Sequence, residues 1–400
     1  MKPRHPETLG VKATLLLVST LTVMAGATIA PSLPAMRSHF AAVPNADYWV
    51  RLVLTVPALF IALGAPVAGI IIDRFGRKRL LSLSVFAYGL AGSSGFFLNE
   101  IGGILLGRLV LGLSVAGIMT TATTLVADYY LGVARARFLG LQAAFMGLGG
   151  VLFLTLGGYL ADVNWRLPFL IYLSAWLMLP LVLLVLPEPR RASRAEVLAL
   201  EAANPEPIPW ALLVVTFAIA LLTQIVFYMI PVQIPFYLQQ LSNANASQSG
   251  LAIALATLAA ASSSLSYQTI KARFSFTALY AMAFGLMGLG YLVISRAPSY
   301  GVVLVGLAIA GLGLGLFTPN MTVGLTSLTP AALRGRILGG LTTSFFLGQF
   351  VSPLVSQPLS QRIGLAATYG LAGLLMLTLG AITLGVMVRW WWLGQRDRSL

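Results

Sequence analysis

Apolar residues run along this chain in long blocks, each interrupted by a few polar or charged positions before the next begins. An α-helix crossing a bilayer needs ~20 predominantly apolar residues, because it rises about 1.5 Å per residue through a core about 30 Å thick. Twelve blocks meet that length, over 11–34, 48–72, 80–98, 102–127, 138–160, 167–187, 210–238, 249–270, 276–295, 300–326, 337–359 and 364–388. The gaps leave almost no room for a soluble domain. The pattern therefore predicts an all-α polytopic membrane protein with twelve transmembrane helices, the backbone satisfying itself within each helix.

The pattern also repeats. A shift of 199 residues lays Gly107 on Gly306, Gly112 on Gly311, Arg135 on Arg334, Arg137 on Arg336, Gly140 on Gly339 and Gly149 on Gly348. Six helices return a chain to the side it left, so two copies run in the same sense and are related by an axis along the membrane normal. The expected organisation is two pseudo-twofold related six-helix bundles, 1–187 and 210–400. Between them "EPRRASRAEVLALEAANPEPIP" (188–209) holds four of the eleven acids and reads as a cytoplasmic linker. The Gly-rich faces, such as "GLGLGLF" (311–317), read as close helix packing.

Composition reinforces the membrane reading, with 58% hydrophobic and 9% charged residues. The net charge of +14 would suggest a polyanionic partner in a soluble protein. Here the placement of the bases decides. With the N-terminus inside, 19 of the 25 Lys and Arg fall on the cytoplasmic side, as the positive-inside rule requires. The charge thus reports topology, with both termini cytoplasmic in an inner or plasma membrane, and no nucleic acid is expected. The first 27 residues, "MKPRHPETLGVKATLLLVSTLTVMAGA", imitate a cleavable signal. They are read instead as the start of a first helix continuing to Pro34, because cleavage would leave an odd number of crossings.

Enzyme chemistry finds little support. The chain has no cysteine and only His5 and His39, so no clustered ligand set for a metal is expected, nor any cofactor. No nucleophile stands beside a base. A channel would call for a symmetric pore lined by charges or carbonyls, whereas a chain repeated twice around a single buried Arg suits alternating access.

The charged loop "GIIIDRFGRKRL" (69–80) is the most specific feature. Gly69 would permit a close helix crossing, Asp73 could face the positive N-terminus of another helix, and Gly76 makes the turn. Arg77 could reach Asp128, the other acid at that depth in this half. The series Gly69, Asp73, Arg74, Gly76, Arg77, Lys78 resembles the signature loop of the major facilitator superfamily, and the six-plus-six architecture is similar to that superfamily over the whole chain. The resemblance implies a transporter in which this loop, with Asp128, latches the cytoplasmic side in the outward-facing state.

Within that resemblance, "GRLVLGLSVAG" (107–117) is similar to the R-x-x-x-G-x-x-x-A pattern of drug:proton antiporters, in the twelve-helix antiporter and arabinose-efflux-like branch. An Arg near a bilayer centre costs ~2.5–3.5 kcal/mol on insertion scales, so Arg108 is a candidate coupling residue. The fifth helix departs from the pattern, with Phe153-Leu154 where antiporters often have G-P. The first helix carries no acid. Proton carriers near the outer face are Asp47, Glu100 and His39, while Asp47 and Arg51 also read as an i,i+4 surface pair.

Candidate substrate-lining residues are polar and aromatic groups away from helix ends: Met24 and Thr28; Thr120; Gln142, Phe145 and Met146; Gln224, Phe227 and Tyr228; Phe317 and Asn320; Phe345 and Gln349. Arg108 apart, no charge lies in the middle third of any helix, so a highly charged substrate would lack a counter-ion. Aromatic, Met and amide groups suit a neutral or cationic amphipathic compound. The expected activity is efflux of small lipophilic or amphipathic molecules in exchange for protons by a monomer. Import or facilitated passage of sugars or small metabolites is the alternative.

Overall fold

The computed structural model describes residues 8–189, 210–329 and 333–396. Most of the expected linker and both extreme termini, with their bases, lie outside the described residues. Every regular element described is helical, and among the described residues twelve stretches are long and apolar enough to cross a membrane. Their ends differ from the predicted blocks by a turn or two, because helices continue past the last apolar residue into polar ones.

The first span is broken: α1 (Leu9–Ala27) gives way to a 3-10 turn (Ala30–Ser32) and α2 (Leu33–His39). Four unbroken spans follow, α3 (Ala46–Phe75), α4 (Arg77–Phe97), α5 (Ile101–Tyr129) and α6 (Gly132–Val163). The sixth span starts as a 3-10 helix (Leu167–Leu173) and becomes α7 (Ser174–Val185). The seventh is broken again, into α8 (Trp210–Phe227) and α9 (Met229–Ser242). The rest are α10 (Ala246–Leu265), short α11 (Tyr267–Lys271), α12 (Phe276–Ser295), α13 (Tyr300–Ser327), α14 (Arg334–Ile363) and α15 (Leu365–Arg396).

Both breaks sit beside a proline, Pro31 and Pro231, whose ring removes a donor from the helical ladder. Carbonyls freed in lipid need protein partners, and side chains supply them. Tyr228 donates to Gly26 O at 3.2 Å and Ser352 to Ile225 O at 2.7 Å, both at the breaks, while Tyr88 ties the unbroken part of α1 at Leu21 O at 2.7 Å. The broken segments are therefore fixed, not loose.

By contacts the chain divides into two compact units. Unit 1 takes 1–236, 245–251 and 329–357, and unit 2 takes 237–244, 252–328 and 358–400. In unit 2 the core holds an aromatic stack, Tyr291 and Tyr237 each 5.7 Å from the Tyr369 ring, with Tyr237 donating to Ile294 O at 2.9 Å. Asn320 is fully buried there, donating to Phe276 O at 3.0 Å and accepting from Tyr267 at 3.2 Å.

The sequence repeat reappears as packing. A Cβ at Gly112 would lie 2.5 Å from the Pro57 carbonyl, and one at Gly311 would run into the Ala256 carbonyl. Likewise Gly107 faces the Ala91 carbonyl and Gly306 the Gly290 carbonyl. Each member of the second pair stands 199 positions beyond its counterpart, so the same helix crossings are made twice. Glycine is needed because any side chain would push those backbones apart.

Candidate functional site

Among the described residues of unit 1, four charged groupings and two adjoining cavities bear on function. At one end of α3, Gly76 takes φ +92° and ends the helix. Such a φ disfavours any residue with a Cβ, and here a Cβ would also come within 2.8 Å of Glu188 Oε1. The Glu188 carboxylate accepts from the backbone N–H of Arg77 at 2.7 Å and of Lys78 at 2.9 Å, capping the start of α4. Negative charge at a helix N-terminus satisfies orphan donors and opposes the positive end of the helix dipole. Arg77 Nε donates to Asp128 Oδ2 at 3.2 Å, so the structure brings together the pair inferred from the sequence. The Asp73 side chain lies outside the described residues. Gly69 makes no close crossing, since a Cβ there would meet no atom within 4 Å.

At the other end of α3, Asp47 and Arg51 form the expected i,i+4 pair at 3.4 Å, with Arg37 on the same carboxylate at 3.1 Å. The pair is not a surface one. Arg51 is only 4% exposed, its guanidinium lies 3.8 Å from the Phe236 ring centroid, and Nε donates to Gln233 Oε1 at 3.0 Å. Gln233 in turn donates to Ser356 at 3.1 Å and to Gln357 at 3.2 Å. Sequence spacing showed the ion pair but gave no sign of the distant amide that buries Arg51.

A second tie at this end escaped sequence reading altogether. Asp162, in the last turn of α6, accepts from Ala246 N at 2.7 Å, from Ser247 N at 3.2 Å and from the Ser247 hydroxyl. It caps α10. A signal for it existed, because an acid in the last turn opposes the dipole of its own helix and so needs a partner elsewhere.

Arg108 is fully buried in α5. Nε donates to Val53 O at 2.9 Å and Nη2 to Ala25 O at 2.8 Å. Both carbonyls are orphans of local chemistry: Pro57 offers Val53 no N–H four residues on, and Ala25 stands in the last turn of α1. The guanidinium carbon also sits 5.2 Å from the Tyr172 ring centroid, within cation–π range. From α5, Arg108 thus staples α1 and α3 at carbonyls their own ladders leave open.

Beside this staple lies a cavity of about 270 Å³ walled by Ala25, Gly26, Leu54, Pro57, Met119, Met146, Tyr228, Phe346 and Gln349, among others. A second, of about 300 Å³, shares Thr22, Met119 and Met146 with it and adds Ser19, Gln142 and Thr123. Of the sequence candidates, Met146, Tyr228, Gln349 and Gln142 line these cavities. Gln142 donates to Ser19 at 2.6 Å. Met24 and Thr28 are buried behind them, Thr28 bonded to Met24 O. Thr120, Phe145, Gln224, Phe227 and Phe345 stand outside both walls, with Phe346 taking the place expected for Phe345. Phe317 and Asn320 are packed inside unit 2, Phe317 5.5 Å from Phe284. Thr22 and Phe346 were missed.

The family model of the Major Facilitator Superfamily matches residues 15–339 and 216–399. The chain belongs to the Major Facilitator Superfamily. Within it, the niacin transporter NiaP of Acinetobacter baylyi is 30% identical over 133 residues, 33% of this chain and 30% of the relative. Multidrug resistance protein 1 of Bacillus subtilis is 32% identical over 136 residues, 32% of this chain and 33% of the relative. The chain spans about a third of the length of these curated relatives. A solved D-xylose-proton symporter superimposes with a TM-score of 0.77 at 16% identity, covering 93% of this chain and 96% of the other, a likeness of fold. This is a multi-pass membrane protein of that superfamily.

Proposed function

We propose that the chain is a secondary transporter of alternating access, built from halves 1–187 and 210–400, that exports small lipophilic or amphipathic compounds in exchange for protons. Its termini lie in the cytoplasm, so the Arg77 end faces inward and the Arg51 end outward. The observation that carries this reading is the pair of joined cavities in unit 1, walled by Met, aromatic and amide groups and lying along α3 between a charged cluster at each of its ends. Concave, mostly apolar sites with a few fixed polar groups suit amphipathic ligands. The partial likeness to a multidrug resistance protein supports the same direction.

Coupling falls to Asp47, held by Arg37 and Arg51, with Arg108 organising the helix breaks beside the cavity. The latch falls to the loop of Asp73, Arg74, Gly76, Arg77 and Lys78, with Arg77 and Asp128 bracing that loop within the first copy; Gly69, which meets no neighbouring helix, has no part in it. Asp73→Asn is expected to cut transport strongly at unchanged membrane abundance, and normal transport by that variant would defeat the latch. The deciding experiment is flux in proteoliposomes under an imposed pH gradient, against lipophilic dyes, drugs and sugars. Dye or drug movement against the proton flow supports export by exchange. Uptake of sugars or metabolites alongside protons, or flux indifferent to the gradient, turns the reading to import or facilitated passage.

A further inference from the structure

Arg108 is a full positive charge held with no carboxylate. Among the described residues it forms no ion pair, and Nη1, wholly buried, has no hydrogen-bond acceptor. A guanidinium carries five N–H donors and a delocalised positive charge. The carbonyls of Val53 and Ala25 satisfy two donors. Carbonyl dipoles and the Tyr172 ring soften the charge without cancelling it, and a buried charge left uncompensated is costly.

This charge sits directly behind the cavity wall. Ala25, which accepts from Nη2, is part of the wall, as are Leu54, next in sequence to Val53, and Tyr228. None of the residues lining either cavity is Asp, Glu, Lys, Arg or His. In the low-dielectric interior of a protein the field of a buried charge is screened far less than in water and extends to neighbouring groups. The sequence-level expectation of a neutral or cationic cargo counted charges with Arg108 set aside. The structure bonds Arg108 directly to a residue of the cavity wall.

We infer that the cavity selects a monoanion: a small amphipathic carboxylate whose charge is balanced by Arg108 and whose apolar body packs against Met119, Met146 and Phe346. An amine of the same shape meets repulsion, and a neutral amide forgoes the charge balance. The inference rests on the cavity being the substrate site of the transporter proposed above.

Two isosteric series test it on the purified full-length chain in lipid nanodiscs, read as saturable binding by calorimetry: benzoate, benzamide and benzylamine, then octanoate, octanamide and octylamine. In at least one series the acid is expected to bind at least about tenfold tighter than the amide, about 1.4 kcal/mol of attraction to the buried charge behind the wall, with the amine weakest. Arg108→Lys should keep the order, and Arg108→Gln should level it. Because Arg108 also staples three helices, a Gln variant that fails to fold leaves the wild-type series as the decisive one. Amide or amine binding as tight as the acid in both series, no saturable acid binding, or a preference surviving in folded Arg108→Gln would each overturn the inference. Binding is read without movement across a membrane. Acids that bind but are not carried in liposomes would sink the transport reading alone, whereas flux of amines without acid binding would sink this inference alone.

Discussion

The charged ties at the two ends of α3 reach very different distances along the chain. At the Arg77 end, Arg77 meets Asp128 and Glu188 caps α4, so these partners all fall within the first 188 residues. At the Arg51 end, Asp162 holds α10 by residues 246 and 247, and Arg51 reaches Gln233, which continues to Ser356 and Gln357. These ties join the first copy of the sequence repeat to the second. A machine that opens its cavity alternately at each end must break cross-copy ties at the end that opens, whereas ties local to one copy can persist through the cycle. Under the alternating access proposed above, the Arg51 end would therefore be the gate that must part, and the Arg77–Glu188 cluster a corner that stays within one copy.

The most damaging way to break that gate is Arg51→Ala. It leaves Gln233 without its donor, strips the Phe236 face of its cation and removes a partner from Asp47. Losing one member of a buried polar cluster is expected to cost about 3 kcal/mol, visible as a lowered midpoint in detergent unfolding. The chain has no cysteine, so Thr22→Cys, in the wall of both cavities, supplies a single reporter. Its reaction with a membrane-impermeant maleimide applied at the Arg51 end should quicken about tenfold or more, a gate weakened by at least 1.4 kcal/mol. Unchanged labelling would show that Arg51 holds nothing shut.

Asp162→Ala comes next. It removes the acceptor for two backbone N–H groups and a hydroxyl at the start of α10, a capping loss of about 1–2 kcal/mol. Labelling of the same cysteine should rise several-fold, and Asp162→Asn, which keeps one acceptor oxygen, should fall between. An Asn variant as open as the Ala variant would mean that charge matters and the hydrogen bonds do not.

How these residues were or were not legible follows from what a sequence encodes. The twelve spans were readable because hydrophobic length is a property of contiguous residues, and the 199-residue repeat because Gly112 and Gly311 each meet a carbonyl, at Pro57 and at Ala256, that stands at the same offset. Arg77 with Asp128 was readable as opposite charges at one depth near the same helix ends. The burial of Arg51 was not, because its amide partner is 182 positions away and an amide carries no sign of its target. Phe346 rather than Phe345 faces the cavity because neighbouring residues on a helix differ by a rotation of about 100°, and nothing in the pattern of α14 fixes that angle. Asp162 and Glu188 share one cause: each acts on the N-terminus of another helix, and only the fold brings that helix near.

Among the smaller effects is Glu188→Ala, which removes a cap of about 1 kcal/mol from α4. It should lower the unfolding midpoint slightly and leave labelling of Thr22→Cys from the Arg51 end as it was. Gly76→Ala belongs with it, since the added methyl meets both a φ of +92° and the Glu188 carboxylate.

The smallest change in stability is expected for Arg77→Ala. Arg77 and Asp128 are 11% and 27% exposed, and ion pairs near the surface are worth about 0–1 kcal/mol because water still solvates part of each charge. Substitution should move the unfolding midpoint by less than Glu188→Ala does and leave the cysteine at position 22 unaffected. The reason is geometric: Asp128 and Arg77 stand on α5 and α4, neighbours in the same copy, so parting them opens no path to the cavity. If Arg77→Ala sped labelling from the Arg51 end as much as Asp162→Ala does, the two ends would be coupled through α3 as one device, and the distinction between a shut gate and a rigid corner would have to be given up.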